Sequence, residues 1–304
     1  MRPVLRMNFL KKAIKQKLAP SAAQPPKIFF NIREIAAVSQ EEAYFFCHAA
    51  CQATYLGDDT VLCRVLTRYL FYADARDIGL TPHMCLNGLW EVWITQVFAR
   101  IIQTGWNCVD IGANQGYFSI LMAALVGDSG RILAVEPNPK LIDFLAKNLE
   151  VNGFQSYSTI RQQAVSDTDG DKLDLVIPSG RALNATITGG AAGENDASFE
   201  VETATLDRLT EDWARVDFVK IDAEGAEEKI WRGMSKTIER NTNITVVMEF
   251  RCSRYTDPRS FLNDVLKNGF RLRHIDYDGT IKDLTLEQTL TERPDEDWML
   301  FLQR

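Results

Sequence analysis

Short apolar runs alternate with amphipathic stretches from residue 107 onwards. The apolar runs predict strands, and the stretches with an apolar residue at every third or fourth position predict helices. Regular alternation of the two predicts a mostly parallel sheet with helices on both faces. The predicted strands are Cys108–Ile111, Ile132–Val135, Ser158–Val165, Phe218–Ile221 and Ile244–Phe250, and the predicted helices are Tyr117–Val126, Pro139–Val151, Ala226–Glu239 and Asp257–Asn268.

Two stretches depart from this alternation. Lys172–Ile177 and Phe199–Leu206 show the period-two pattern of strands and are separated by Gly- and Ala-rich residues, which predicts an edge hairpin with a mobile loop. The chain then closes with two predicted strands, Arg271–Tyr277 and Trp298–Leu302, that have no helix between them. Because parallel strands need a crossover connection, this pair predicts an antiparallel strand near the sheet edge.

The part before residue 107 divides into three predicted units. Residues 1–26 are a basic tail and linker, whose first 18 residues carry six Lys or Arg and no acid. This pattern suits weak contact with a membrane surface or a partner, or a loosely packed terminal helix, which we favour. Residues 27–88 are predicted to be a mainly helical cap with apolar stretches over Ala43–Tyr55 and Val61–Tyr72, and with a short strand over Leu70–Asp74. Residues 89–304 form the main domain, which opens with a helix over Trp90–Ile102.

Composition excludes several functional classes. The contents of hydrophobic (46%) and charged (25%) residues are ordinary for a globular protein, and the net charge of −7 argues against a general nucleic-acid binder. No run of 18 apolar residues and no signal-like apolar segment is found, so we expect a cytoplasmic protein without a transmembrane segment. The six cysteines are too scattered for a disulfide framework in a chain of this length, which predicts reduced thiols.

A glycine turn follows the first strand of the alternating region. Gly112 and Gly116 bracket it, with Asn114 between them, so the G-x-G-x-x-G pattern of dinucleotide sites is not matched. An NAD-dependent oxidoreductase is therefore a weaker alternative. The turn fits S-adenosylmethionine, which carries no phosphate. Asp110, at the strand end, is expected to face the cationic amino-acid part of this ligand, directly or through water.

A second acid supports this interpretation. Folds of this kind place a carboxylate at the end of the second strand, roughly twenty residues after the glycine turn. Glu136 ends the apolar run Arg131–Val135 and supplies this carboxylate, which could accept hydrogen bonds from both ribose hydroxyls. The turn and the acid together are more specific than either alone.

Four stretches resemble the FkbM-like family of S-adenosylmethionine-dependent methyltransferases. They are Val109–Tyr117, Val135–Asn138, Ala164–Asp167 and, most characteristically, Val219–Glu227 with the sequence Val-Lys-Ile-Asp-Ala-Glu-Gly-Ala-Glu. The resemblance covers the chain from about Tyr69 to the C-terminus. It implies the class I methyltransferase fold, a Rossmann-like seven-stranded sheet, and methylation of a hydroxyl on a sugar, glycan or secondary metabolite.

The resemblance also implies roles for individual residues. The expected cofactor-binding residues are Asp110, Gly112, Ala113, Asn114, Gly116, Tyr117, Glu136, Asn138, Val165 and Asp167. Asp222 and Glu224 match the acidic pair near the place where methyl donor and acceptor meet, and Glu249, from its position at a neighbouring strand end, completes the expected catalytic residues.

Methyl transfer from a sulfonium is an in-line displacement, so the enzyme has mainly to position the acceptor and remove its proton. Asp222, Glu224 and Glu249 follow strands whose ends face the ligand crevice, where a carboxylate could act as general base. The alternative for Asp222 is a cap for the helix near Ala226. We expect the loop of residues 178–198 to act as a lid on the acceptor side.

Several alternatives remain at the sequence level. Lys220 is at least as well explained by a structural role, and His83 is either a base on the acceptor side or a packed side chain. The three acids could bind Mg²⁺, but no independent ligand pattern supports this, and we predict no metal. A non-catalytic S-adenosylmethionine-binding protein is the main functional alternative. The expected partner is a small-molecule or glycan acceptor, and not nucleic acid.

Overall fold

The computed structural model describes residues 27–177, 186–187 and 197–304. The predicted basic tail of residues 1–26 lies outside the described residues, and so does most of the predicted lid of residues 178–198. No helix among the described residues is long and apolar enough to cross a membrane.

The N-terminal part combines helices with a small sheet. A 3₁₀ turn at Ile32–Ala37 precedes the elements α1 (Gln40–Ala50), β1 (Ala53–Gly57), β2 (Thr60–Val65), β3 (Tyr69–Asp74) and α2 (Thr81–Asn87). The three strands form an antiparallel sheet in the order β1-β2-β3.

The expected strand over Leu70–Asp74 is therefore confirmed, but the expectation of helix over Val61–Tyr72 is wrong, since these residues form β2 and part of β3. The reason is the turn between β1 and β2. Asp58 and Asp59 both adopt positive φ (46° and 53°), as the tightest hairpin turns require at their two central residues. Apolar residues on the far side of that turn pair as strands, although their composition alone does not exclude a helix.

The main sheet is built from the elements that follow. They are α3 (Val92–Ile101), β4 (Asn107–Ile111), α4 (Tyr117–Val126), β5 (Arg131–Val135), α5 (Pro139–Val151) and β6 (Ser158–Arg161), and, after an insertion, β11 (Phe218–Ile221), α7 (Glu227–Arg232), α8 (Ser235–Arg240), β12 (Thr245–Phe250), α9 (Pro258–Lys267), β13 (Arg273–Ile275), β14 (Ile281–Asp283), α10 (Leu286–Thr291) and β15 (Trp298–Leu302). Short turns of 3₁₀ helix, such as Cys252–Arg254, are left unlabelled.

The eight strands of this sheet have the order β14-β13-β15-β12-β11-β4-β5-β6. The five strands from β12 to β6 are parallel, whereas β15 runs antiparallel to β12 and to β13. The predicted fold class, the class I methyltransferase sheet with helices on both faces, is confirmed, and β14 adds one strand to the seven that were expected.

The insertion forms a second sheet. Its elements are β7 (Ala164–Val165), β8 (Lys172–Ile177), β9 (Thr186–Ile187), β10 (Ala197–Ala204) and the short helix α6 (Leu206–Leu209), and the strand order is β7-β10-β8-β9. The predicted pairing of β8 with β10 is antiparallel, as expected, but the hairpin is not an edge of the main sheet. The predicted strand Ser158–Val165 is divided between the two sheets because β7 turns away to pair with β10.

Two asparagines of α5 join the N-terminal part to the main domain. Asn148 is fully buried, and its side chain accepts a hydrogen bond from the backbone N–H of Tyr72 (2.6 Å) and donates to the carbonyls of Tyr72 (2.9 Å) and Gln115 (2.7 Å). Asn152 bonds both backbone groups of Leu70 in the same way. These asparagine side chains therefore satisfy the backbone of β3 on the edge that faces away from β2. One continuous hydrophobic core also extends from the N-terminal part under the sheet.

We expect Asn148→Ala to destabilise the fold by about 2–4 kcal/mol, because it leaves several buried backbone groups without partners. Urea unfolding would measure this loss. Asn268→Ala, at the exposed end of α9, is the matched control and should cost less than about 1 kcal/mol. Equal effects of the two substitutions would show that the link between the two parts contributes little.

Candidate active site

A cleft with a volume of about 500 Å³ opens at the carboxyl ends of the central parallel strands. Open α/β sheets bind ligands at this edge, where the strand order reverses on either side of β4. One wall comes from the main sheet and its loops, and the other from residues near α2 and α3. That second wall includes Ile78, Leu80, His83, Trp90 and Glu91.

The glycine turn after β4 forms the floor of the cleft. Gly112 has φ of 72°, and a Cβ built on it would stand 1.8 Å from the carbonyl oxygen of Asp222 in the loop after β11. Gly116 has φ of 95°, and its Cβ would meet Leu145 of α5 at 2.7 Å. Gly112 therefore lets the two loops meet, and Gly116 lets α4 and α5 pack closely. Of these two glycines, Gly112 lines the cleft.

Glu136 lies beside the turn and is held in one orientation. One carboxylate oxygen accepts a hydrogen bond from the backbone N–H of Asn114 (2.8 Å), and the other accepts one from that of Asn138 (2.9 Å). Burial raises the pKa of Glu136 to about 7, although these two backbone donors act in the opposite direction. The carboxylate lines the cleft and is rigidly placed to accept further hydrogen bonds.

Asp110 does not lie where the sequence suggests. Its side chain is fully buried beneath the cleft, where it accepts a hydrogen bond from the Ser119 hydroxyl (2.6 Å) and lies 3.5 Å from the Lys220 ammonium. Direct contact of this carboxylate with a cofactor is therefore not supported. The reason is the strand register, which sets Lys220 of β11 beside Asp110 of β4.

The other expected cofactor residues divide into two groups. Gly112, Ala113, Asn114, Tyr117, Glu136 and Val165 line the cleft. Asn138 is buried and caps α5 by accepting a hydrogen bond from the Lys140 N–H (3.0 Å). Asp167 faces Arg232 at 3.7 Å. Together with Asp110 and Gly116, these two lie outside the lining of the cleft and support it indirectly.

The three expected catalytic acids do come together. Asp222, Glu224 and Glu249 line the cleft, and each places a carboxylate oxygen within 4.8 Å of the other two. Asp222 does not cap α7, whose first turn has no side-chain cap. The buried Glu227 instead accepts hydrogen bonds from the N–H groups of Ala223 and Gly225 and so shapes the loop that carries two of the acids.

Arg254 is the cation of this acid cluster, and the sequence analysis missed it. Its guanidinium bridges Glu224 and Glu249, with N–O distances of 2.6 Å to each, and lies 3.6 Å from Asp297. Burial raises the pKa of Glu224 to about 7, and burial together with Asp222 and Asp297 raises that of Glu249 to about 9. The sequence offers one signal for Arg254, its position four residues after the end of β12.

The oxygen spacing of the three acids would suit a small cation, but Arg254 already supplies positive charge to two of them. The predicted absence of a metal remains a prediction. His83 lines the cleft with its ring edge-on to Trp90, at a centroid distance of 4.8 Å. This aromatic pair forms the wall opposite the acid cluster's loop.

The sequence profile of the methyltransferase FkbM domain matches residues 110–272, which is more than half of the chain. The chain belongs to the FkbM family of methyltransferases. S-adenosyl-L-methionine is the cofactor of this family. The matched region contains both the glycine turn and the acid cluster, and it stops short of β13 to β15.

Curated relatives match only short stretches. The protein-L-isoaspartate O-methyltransferase of Aeropyrum pernix is 43% identical over 53 residues, which are 17% of this chain and 20% of that protein. Protein-L-isoaspartate O-methyltransferase 1 of Arabidopsis thaliana is 29% identical over 89 residues, which are 29% of this chain and 36% of that protein. The chain thus spans about a fifth to a third of the length of these two relatives.

Solved structures of methyltransferases are distantly similar. The precorrin-6y C5,15-methyltransferase of Geobacter metallireducens is 15% identical with a TM-score of 0.40, and the match covers 70% of this chain and 88% of that one. The fibrillarin of Aeropyrum pernix, solved with natively bound S-adenosyl-L-methionine, is 11% identical with a TM-score of 0.38, covering 83% and 97%. Similarities of this size carry no information about the acceptor.

We expect Gly112→Ala to destabilise the protein by more than about 2 kcal/mol, since the new Cβ would overlap the Asp222 carbonyl and force the two loops apart. Gly170→Ala is the control. It has a similar positive φ of 79°, but its Cβ would meet nothing within 4 Å, so it should cost only about 1 kcal/mol of backbone strain. Thermal and urea unfolding of both variants would test this, and equal losses would contradict the close approach of the loops.

Proposed function

We propose that this chain is an S-adenosylmethionine-dependent O-methyltransferase whose acceptor is a hydroxyl of a neutral, polar, sugar-like molecule. One observation carries the proposal. The acid cluster of Asp222, Glu224 and Glu249 opens into the same cleft as Glu136 and the glycine turn. A cofactor held at one end of the cleft would thus present its methyl group to carboxylates at the other.

The cofactor is placed by three features of the cleft. Glu136 accepts hydrogen bonds from the ribose hydroxyls, because a carboxylate with fixed oxygens suits a vicinal diol. The backbone of Gly112 and Ala113 passes beneath the methionine part. Apolar Val165 and Leu175 offer a surface for the adenine ring.

Asp222 is the general base in this proposal. Glu224 and Glu249 are both bound by Arg254, and burial raises the pKa of both carboxyl groups. Because the arginine already occupies oxygens of these two acids, Glu249 instead positions the acceptor through hydrogen bonds. Asp222 lies at the junction of the two loops, next to the floor formed by Gly112.

The charge of the cleft favours a neutral acceptor. Among the described residues, six carboxyl groups line it against three cations, and each cation is already paired with an acid; the acids are Glu91, Glu136, Asp222, Glu224, Glu249 and Asp297, and the cations are Lys220, Arg251 and Arg254. An anionic phosphate or carboxylate would be repelled, whereas sugar hydroxyls can donate hydrogen bonds to these oxygens. This argues against nucleic acid as acceptor and against a carboxylate acceptor like the one named for the isoaspartate relatives.

Two other functions are less well supported. A non-catalytic cofactor-binding protein would have no need of an acid cluster with a bridging arginine in the cleft. An NAD-dependent oxidoreductase is disfavoured by the match to a methyltransferase family.

Cofactor affinity should depend on the ionisation of Glu136. Because the carboxylate form accepts the ribose hydrogen bonds and its pKa is raised to about 7, affinity should fall as the pH decreases from 8 to 6. Glu136→Gln should bind S-adenosylmethionine about 10- to 100-fold more weakly and remove this part of the pH dependence. Calorimetry at both pH values would measure it, with exposed Glu150→Gln of α5 as the control. Unchanged affinity in Glu136→Gln would refute the ribose assignment.

The two acids Asp222 and Glu249 should respond differently to the loss of charge. Asp222→Asn should lose about 10²–10⁴ in turnover, because the amide cannot accept the acceptor's proton. Glu249→Gln should keep turnover within about tenfold, because an amide resembles the protonated carboxyl in shape and hydrogen bonding. Formation of S-adenosylhomocysteine with a panel of sugars and metabolite alcohols would measure both variants. The reverse order of effects would reassign the base, and no turnover on any alcohol would refute the proposed acceptor class.

A further inference from the structure

Lys220 is the one charged residue of strand β11, and its side chain is 2% exposed. Its ammonium lies 3.5 Å from a carboxylate oxygen of Asp110 and 3.3 Å from Oδ2 of Asp222, to which it donates a hydrogen bond. The Phe118 ring lies over the same ammonium at 5.1 Å. A buried ammonium is costly unless well paired, so two carboxylates around it are a specific arrangement rather than an accident of packing.

The three charges occupy different depths. Asp110 is fully buried, whereas the Asp222 side chain is 32% exposed and lines the cleft. Asp110 and Lys220 are neighbours in the strand register, and Ser119 fixes the other oxygen of Asp110. The lysine is thus anchored from below and reaches towards the cleft.

We propose that Lys220 is a positioning residue for methyl transfer, which binds one oxygen of Asp222 and so orients its carboxylate towards the acceptor. This role rests on the proposed function, in which Asp222 is the base. The ammonium donates a charge-assisted hydrogen bond to Oδ2 of Asp222, which leaves the other oxygen for the acceptor's proton. Asp110 supplies the second carboxylate beside the ammonium, and so offsets the cost of burying the lysine.

The charge balance of the reaction is consistent with this arrangement. Before transfer, Asp110, Lys220 and Asp222 together carry one negative charge, opposite a cofactor with one net positive charge. The acceptor oxygen then forms a bond to the methyl carbon, the sulfur–carbon bond breaks with its electron pair passing to sulfur, and the proton moves to Asp222. The cofactor product and the three residues are then both neutral, so no unpaired charge is left in the cleft.

Other charged groups line the same cleft as Asp222 and must stay unchanged in a test. They are Glu91, Glu136, Glu224, Glu249, Arg251, Arg254 and Asp297. A substitution of Lys220 leaves all of them in place.

The test compares Lys220→Met with the double variant Lys220→Met/Asp110→Asn. Methionine keeps the length of the side chain without its charge, but alone it leaves Asp110 buried and uncompensated, so a lower melting temperature is expected. The double variant removes this second charge and should recover most of the melting temperature. The decisive readout is turnover, followed as formation of S-adenosylhomocysteine, together with the calorimetric affinity for S-adenosylmethionine.

In the double variant turnover should fall about 10- to 100-fold relative to wild type, because the Asp222 carboxylate is no longer oriented, while the affinity for S-adenosylmethionine stays within about threefold. Lys172→Met, which removes an exposed lysine paired with Glu200, should leave turnover unchanged. Unchanged turnover in the folded double variant would overturn the role of Lys220 and leave a purely structural one. Turnover of the wild type on the same alcohols separates this outcome from a failure of the proposed function, since its absence there would refute the latter alone.

Discussion

The structure depends on the close approach of two loops, one after β4 and one after β11. Their strands are adjacent and parallel, and the sheet order reverses at this point, because β5 and β6 extend to one side of β4 and β11 and β12 to the other. Helices that follow these strands pack on opposite faces, and a crevice is left between them. Gly112 allows the backbone of the first loop to touch the Asp222 carbonyl of the second, so the cofactor turn and the acid loop share one floor.

Buried charge is the second constraint, and the two cations at the base of the cleft are each paired with at least two acids. Lys220 lies between Asp110 and Asp222, and Arg254 lies between Glu224 and Glu249. Asp110 is fully buried, whereas Asp222 and the acids of the arginine group line the cleft, where burial raises the pKa of both glutamates. Asp222 thus lies between the two groups, bound to Lys220 and close to the arginine-bound glutamates.

The N-terminal part contributes to the site as well as to stability. Its small sheet is held against α5 by asparagine side chains, and the segment that follows it provides the wall with His83 and Trp90. This wall lies outside the region matched by the family profile, which begins at residue 110. The cleft is therefore lined both by residues of the matched region and by residues that precede it.

The sequence by itself determined the features that depend on local order along the chain. Strand, glycine turn and helix, the acid at Glu136 and the acids after β11 and β12 are all encoded within short segments, and the parallel sheet follows from their alternation. Tertiary structure decided what each polar side chain contacts. Asp110 ends a strand as predicted but is covered by Lys220 from the neighbouring strand, and Arg254 reaches Glu224 across 30 positions of sequence. The pairing of β2 with β3 likewise depends on turn residues with positive φ, and amino-acid composition does not reveal that conformation. Burial and pairing are set by residues distant in sequence, and for this reason periodicity and spacing located the acids without showing which of them face the cleft.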